Sequence, residues 1–160
     1  MLFSLCLRAQ NKRALIIGLG EYEDTNWSTI HGDKDVPIIV EMLKQYKYSD
    51  IKTLINQQAT KKQIVSEFKN LAKRCLASDI IYIHFSGHGQ RMTDLDGDEE
   101  DGLDEAWIPY DGYLQYGDKD RGEKHLLDDE IGILLTDIRN RIGDSGHLLV
   151  SVDACHSGDS

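Results

Sequence analysis

DIIYIHFSGHGQ, residues 79–90, is the stretch that decides the fold. Its apolar, β-branched run from Asp79 to Ser86 has no helical spacing and reads as a strand buried on both faces of a parallel sheet. Ser86-Gly87-His88-Gly89-Gln90 then reads as the loop at that strand's carboxyl end, where glycines on both sides of His88 allow a sharp turn and leave the imidazole accessible.

A doubly covered strand needs parallel neighbours and helices, and the flanking sequence supplies them. Arg13 to Leu19 (RALIIGL) reads as a first strand, Ile51 to Ile55 as a second, and Gly146 to Val152 (GHLLVSV) as a fourth that ends at Asp153. Between them, Asp35 to Tyr46 places Val36, Ile39, Val40, Leu43 and Tyr46 at helical spacing, with Pro37 tolerable in a first turn. Thr60 and Gln63 form a candidate capping box for a helix through Leu76 with Ile64, Phe68, Leu71 and Leu76 inward, and Asp128 to Ile142 reads as a third helix. The expectation is an α/β fold with a mainly parallel sheet and helices on both faces.

The 160 residues, 40% of them hydrophobic, suit one domain. With 18 basic against 28 acidic side chains the net charge is -10, which argues against nucleic acid or anionic lipid as partners and favours cationic substrates or metal cations. Only Cys6, Cys75 and Cys155 occur, too few for a disulfide framework, so a special cysteine here is special for its reactivity. No apolar run approaches the roughly 20 residues of a membrane span. Residues 1–10 (MLFSLCLRAQ) read either as the remnant of an export signal, implying an exported or periplasmic protein, or as a disordered or strand-adding N-terminus of a cytoplasmic one, with the folded domain over 11–160.

Ligands and chemistry collect beyond the carboxyl ends of parallel strands. His88 follows the third strand and Asp153-Ala154-Cys155-His156-Ser157-Gly158 follows the fourth, so adjacent strands would unite His88 with Cys155 across 67 residues of sequence (155 − 88). A thiol of pKa ~8.5 is mostly protonated at neutral pH, and an imidazole that takes its proton makes it a nucleophile and can then protonate a leaving amine. Backbone N–H groups of Gly89 and Cys155 are candidate oxyanion donors. Taken singly, a strand-end Cys or a loop His is ordinarily structural; the pairing is what points to chemistry.

HFSGHGQ and DACHSG resemble the two catalytic signatures of the caspase-like clan, specifically the metacaspases, and the likeness extends through ALIIGLGEY, HGDKDV, DLDGDEEDGLDEAWIPYD and LLDDEI over about residues 12–160. The resemblance implies a caspase-like three-layer sandwich, His88 as base, Cys155 as nucleophile, and peptide-bond hydrolysis without an organic cofactor. Asp153 stands where caspases carry Gln, and the His-to-Cys spacing is longer than theirs, which points away from true caspases. Asp153 and Asp35 in HGDKDV would form an acidic pocket favouring Arg or Lys at P1, with Asp33 a rival for Asp35, and a helix N-terminal acid the plainer reading of Asp35.

The acidic run Asp94 to Glu105 fails as an EF-hand, since position six is Glu99 and not Gly. Resemblance to calcium-activated metacaspases instead places Ca2+ ligands at Asp104, Asp128 and Asp129, against the plainer reading of a solvated acidic loop. Zinc is disfavoured, because His84 and His88 are four apart on a strand and its loop. The family continues past the position of Ser160 with strands and helices that complete the sheet, so a C-terminal small-subunit portion is an expected partner and the C-terminal sheet edge is expected to be incomplete. The competing functional classes are a catalytically silent homologue acting as a binding module and a metal-binding regulatory domain.

Overall fold

The computed structural model of the chain describes residues 10–93, 103–115 and 117–156; for residues 93, 103, 104, 155 and 156 the description is of the backbone alone. The N-terminal segment with Cys6, and most of the acidic run from Asp94, lie outside the described residues.

In chain order the elements are β1 (Lys12–Gly18), α1 (Gly32–Gln45), β2 (Asp50–Ile55), α2 (Lys61–Arg74), β3 (Ile80–Thr93), β4 (Leu103–Trp107), β5 (Leu126–Leu127), α3 (Asp128–Ile142) and β6 (His147–His156). β1, β2, β3 and β6 are mutually parallel, with β1 between β2 and β3 and with β6 beside β3, while β4 and β5 extend the sheet antiparallel. Side-chain alternation along β1 shows the layering. Ala14 and Ile16 pack with Val36 and Leu43 of α1, whereas Leu15 and Ile17 join the larger core with Phe68 of α2 and Ile138 of α3. The result is the expected three-layer α/β sandwich, with α1 on one face and α2 and α3 on the other. No helix among the described residues is long and apolar enough to cross a membrane.

Four local expectations need correction. β3 does not end at Ser86 but runs on to Thr93, so Ser86 to Gln90 is strand, and His88 is brought to the site without a sharp turn. The cause is pairing with β4, in which Gly89 lies opposite Trp107 and Thr93 opposite Leu103. β6 likewise continues through Cys155 to His156 and does not stop at Asp153. α1 begins at Gly32, which puts Pro37 in the second turn and not the first. The early start depends on a close approach, because a Cβ at Gly32 would run into the carbonyl oxygen of Ser86. α2 ends at Arg74, and Thr60 supplies one half of the expected capping box by accepting from the Gln63 amide at 3.3 Å.

The length of β3 creates a break in its flank. On one edge it pairs with β1 as far as Ser86 and with β4 from Gly89 onward, while β6 runs along the other edge through Gly89. His88 sits in the gap between β1 and β4. Among the described residues β6 pairs with β3 alone, and Leu149 and Val152 on it are 60% and 50% exposed.

Candidate active site

Because β1 has ended, the backbone N–H of His88 has no ladder partner on that edge, and the hydroxyl of Tyr22 accepts it at 2.7 Å. Gly87 makes the approach feasible, since a Cβ there would lie 3.1 Å from the Tyr22 oxygen and 2.9 Å from the Phe85 ring. Burial holds the Tyr22 hydroxyl well above its ordinary pKa, an effect that its bond to the His88 amide only partly offsets. On the acceptor side, the His88 carbonyl takes the amide of Ile108 at 3.0 Å.

The imidazole is equally constrained. Trp27 stacks on it with ring centroids 4.9 Å apart and planes at 24°, and Tyr22 lies at 5.1 Å and 38°. Trp27 is itself tied down by its indole N–H donating to the Gly112 carbonyl at 3.0 Å. The ring nitrogen Nε2 is 2.8 Å from the Ser28 carbonyl oxygen. A carbonyl only accepts, so this contact assigns the proton to Nε2 and leaves Nδ1 as the basic nitrogen. With 8% of its surface exposed, His88 is less accessible than expected from flanking glycines.

Across the sheet, the parallel register pairs Ser86 with Asp153, Gly87 with Ala154, His88 with Cys155 and Gly89 with His156. The two strand ends expected to meet do meet, with His88 and Cys155 directly opposite. The side chain of Cys155 lies outside the described residues. Gly89 is inside the β3 ladder, between Trp107 on β4 and His156 on β6. Cys75 is buried, and burial pushes its thiol up to about 11, which suits packing and not nucleophilic chemistry.

A cavity of about 240 Å3 opens beside His88 and is lined by Asp35 and Asp153 among others. Ser86, register partner of Asp153, donates its hydroxyl to Asp35 Oδ2 at 3.3 Å, so one serine links the helix acid to the strand that carries the other acid. Asp33 is absent from this lining, and Lys34 binds its carboxylate at 2.8 Å and holds its pKa below the usual range. Of the two acids of HGDKDV, Asp35 and not Asp33 is therefore the one that lines the cavity.

The calcium candidates come together less completely. Asp128 and Asp129 open α3, with the Asp129 amide donating to Asp128 Oδ1 at 3.1 Å. Asp104 is on β4, which pairs with β5 (Ala106 opposite Leu127), the two-residue strand that leads directly into α3. Its side chain lies outside the described residues, and among those described no three His, Cys, Asp or Glu side chains gather closely enough to hold an ion. The donors are hard carboxylate oxygens of the kind calcium takes, but the described residues alone do not make a full coordination shell. His84 and His88 do not converge on a metal either: both ring nitrogens of His84 lack partners, while His88 turns to Ser28.

Sequence reasoning missed Tyr22, Trp27 and the Ser28 carbonyl. Two large aromatics in the largely polar stretch between Gly20 and Gly32 were the available signal; a backbone carbonyl leaves none.

Residues 12–160 match the family described as Metacaspase, peptidase C14 domain. The chain belongs to this family. It is 33% identical to Metacaspase-1B of Aspergillus fumigatus over 156 residues, which is 92% of this chain and 35% of that protein. It is 28% identical to Metacaspase-1 of Meyerozyma guilliermondii over 166 residues, 99% of this chain and 38% of that one. The chain thus spans little more than a third of the length of these relatives. Among solved structures, a Geobacter sulfurreducens protein superposes with a TM-score of 0.72 at 27% identity, over 93% of this chain and 52% of that one.

Proposed function

We propose that the chain is the part of a cysteine endopeptidase that carries both catalytic side chains, and that the whole enzyme cleaves after Arg or Lys. The observation that carries this reading is the register of β3 and β6, which sets His88 opposite Cys155, together with the Nε2–H bond to Ser28 that leaves Nδ1 basic. In the proposed reaction His88 Nδ1 takes the thiol proton, and the Cys155 sulfur attacks the scissile carbonyl carbon. The Cys155 amide stabilises the oxyanion, whereas Gly89, held in the ladder between β4 and β6, is not the open turn amide that the sequence suggests. His88 returns the proton to the departing amine, and water then hydrolyses the thioester. The Ser28 carbonyl holds Nε2–H throughout and stabilises the transient imidazolium.

The basic P1 preference is supported by Asp35 and Asp153 lining one cavity next to His88. Two carboxylates there attract a guanidinium or ammonium and repel an aspartate. We further propose activation by calcium through Asp104, Asp128 and Asp129, supported by their oxygen chemistry and by the pairing of β4, which carries Asp104, with β5, which leads directly into Asp128. Protein substrates with Arg or Lys at P1, and a C-terminal small-subunit portion, are the partners this reading requires. Hydrolysis of Arg, Lys and Asp P1 reporter peptides by the full-length protein, with calcium and with chelator, tests it. Turnover of the Asp peptide alone, or of none under either condition, rejects it.

A further inference from the structure

His84 has no part in the reaction above, yet it is only 6% exposed and neither ring nitrogen has a hydrogen-bond partner. An imidazole in a strand interior without partners costs stability that an apolar ring would not. Its neighbours suggest what it does. Tyr82, two residues earlier on the same face of β3, stacks on it at 6.4 Å and 10°. Ser86, two residues later, is the hydroxyl bound to Asp35. β1 and β6 place Ile16 and Ser151 level with it.

The two acids of the cavity lie one step further along this face of β3, Asp35 from α1 bound to the Ser86 hydroxyl and Asp153 from β6 opposite Ser86 in the ladder, and both favour a protonated His84 ring. β1 brings no charge beside it, and its own strand brings only the Tyr82 phenol and, further along, His88, whose ring is turned to Trp27 and Ser28. His31, which also lines the cavity, precedes α1 at its N-cap.

We propose that His84 is a specificity residue beneath the acidic pocket, whose protonated ring competes with the positive charge of an entering side chain for Asp35 and Asp153. This rests on the pocket reading above and adds a proton to it. Burial lowers the pKa of His84, against the opposing pull of Asp35 and Asp153, so the ring is neutral near pH 7 and the carboxylates are left to the ligand. In acid the ring takes a proton, the pocket neutralises itself from within, and cation affinity falls. By reciprocity, a bound cation makes His84 harder to protonate.

The test uses the full-length protein and benzamidine, an arginine-like cation, with binding followed by calorimetry from about pH 7.5 to about pH 5.5. Wild type should lose roughly fivefold more affinity over this range than His84→Phe, and near pH 6 its binding should release protons, read from the dependence of the heat on buffer, where the variant's does so less. His84→Gln, planar and polar but without a titration in this range, should match His84→Phe and serves if that variant does not fold. Superimposable wild-type and variant profiles overturn the role of His84 alone. If wild type does not bind benzamidine near pH 7.5, or Asp153→Ala binds it equally well, the pocket reading itself falls and this inference with it.

Discussion

His88 and Cys155 are register partners across two parallel strands, although 67 residues separate them in sequence. Strand pairing fixes their backbones to within the tolerance of a β-ladder, so the pair does not depend on loop conformation. Replacing Cys155 with Ala should abolish peptide hydrolysis by the full-length protein, and His88→Ala should lower kcat by about 10³-fold or more. Circular dichroism and thermal unfolding should be near wild type for Cys155→Ala. Substantial turnover by a folded Cys155→Ala variant would end the cysteine-peptidase reading.

Trp27 is the second prediction, as a positioning residue for the imidazole. Its ring covers one face of His88, and its indole is anchored on Gly112, so truncation frees the base to rotate away from Ser28. Trp27→Ala should reduce kcat by roughly 10- to 100-fold with little change in KM, since a small misplacement of a reacting group is that costly. Trp27→Phe keeps a stacking face and should recover most of the loss. An equal deficit in both variants, or one confined to KM, would assign Trp27 to packing alone.

A third prediction concerns stability at the amino-terminal end of the sheet. Asp79, 1% exposed, accepts the Asn11 amide and side chain, the Leu76 amide and the guanidinium of Arg13, which in turn reaches Asp50 at 2.6 Å. Burial alone would raise the Asp79 pKa, but these donors outweigh it and hold it below the ordinary 3.8. The folded value is the lower one, so the group's contribution is present above pH 3.8 and is lost as pH falls through the folded pKa. Asp79→Ala leaves Arg13 with Asp50 alone and the Asn11 and Leu76 amides without their acceptor, and should cost about 3 kcal/mol near pH 7, with the gap from wild type narrowing in acid. Urea titrations at neutral and acid pH measure both.

These sites differ in how far the sequence announced them. The alternation of apolar strands and amphipathic helices places β1, β2 and α3 to within about a residue of where they lie, because their burial is local and periodic. β3 overran its expected end because residues 87–93, mostly glycine and polar side chains, hold strand geometry through β6 as far as Gly89 and through β4 from Gly89 onward, partners invisible to local pattern. Within the site, Asp35 and Asp153 were legible as acids near the two motifs. The Ser28 carbonyl was not, because a backbone oxygen has no residue type, and His84 was weighed only as a metal ligand because partnerless burial is a property of packing.

Calcium gives the fourth prediction. If Asp104, Asp128 and Asp129 share an ion, each Ala replacement removes one charged oxygen ligand and should raise the calcium needed for half-maximal activity by about tenfold or more, while maximal activity at saturating calcium stays within a few-fold of wild type. Calcium should also raise the melting temperature of the wild-type protein and raise it less in the variants, because a ligand that binds only the folded state stabilises it. Identical activity and melting in chelator and in millimolar-scale calcium would remove the ion from the proposal.

The fifth prediction concerns what enters the cavity. Asp153 is opposite Ser86 in the ladder, two residues before Cys155 and on the same side of β6, so an extended substrate bound with its carbonyl at Cys155 would place the neighbouring side chain toward it. Asp35 completes the cavity from α1 and is held there by the Ser86 hydroxyl. The two acids are not equivalent. Asp153 is exposed on β6, whereas Asp35 is half-buried in a helix turn. Asp153→Ala should therefore lower kcat/KM for Arg and Lys peptides by roughly 100-fold, about 3 kcal/mol of lost charge pairing at a desolvated contact, while shifting the melting temperature little. Asp153→Asn should recover only a small part, because it keeps the shape and not the charge. Ser86→Ala, which releases Asp35 without removing it, should have a smaller effect and raise KM more than it lowers kcat. Unchanged Arg and Lys hydrolysis in Asp153→Ala, or a new preference for Asp in wild type, would show that the basic side chain is read elsewhere.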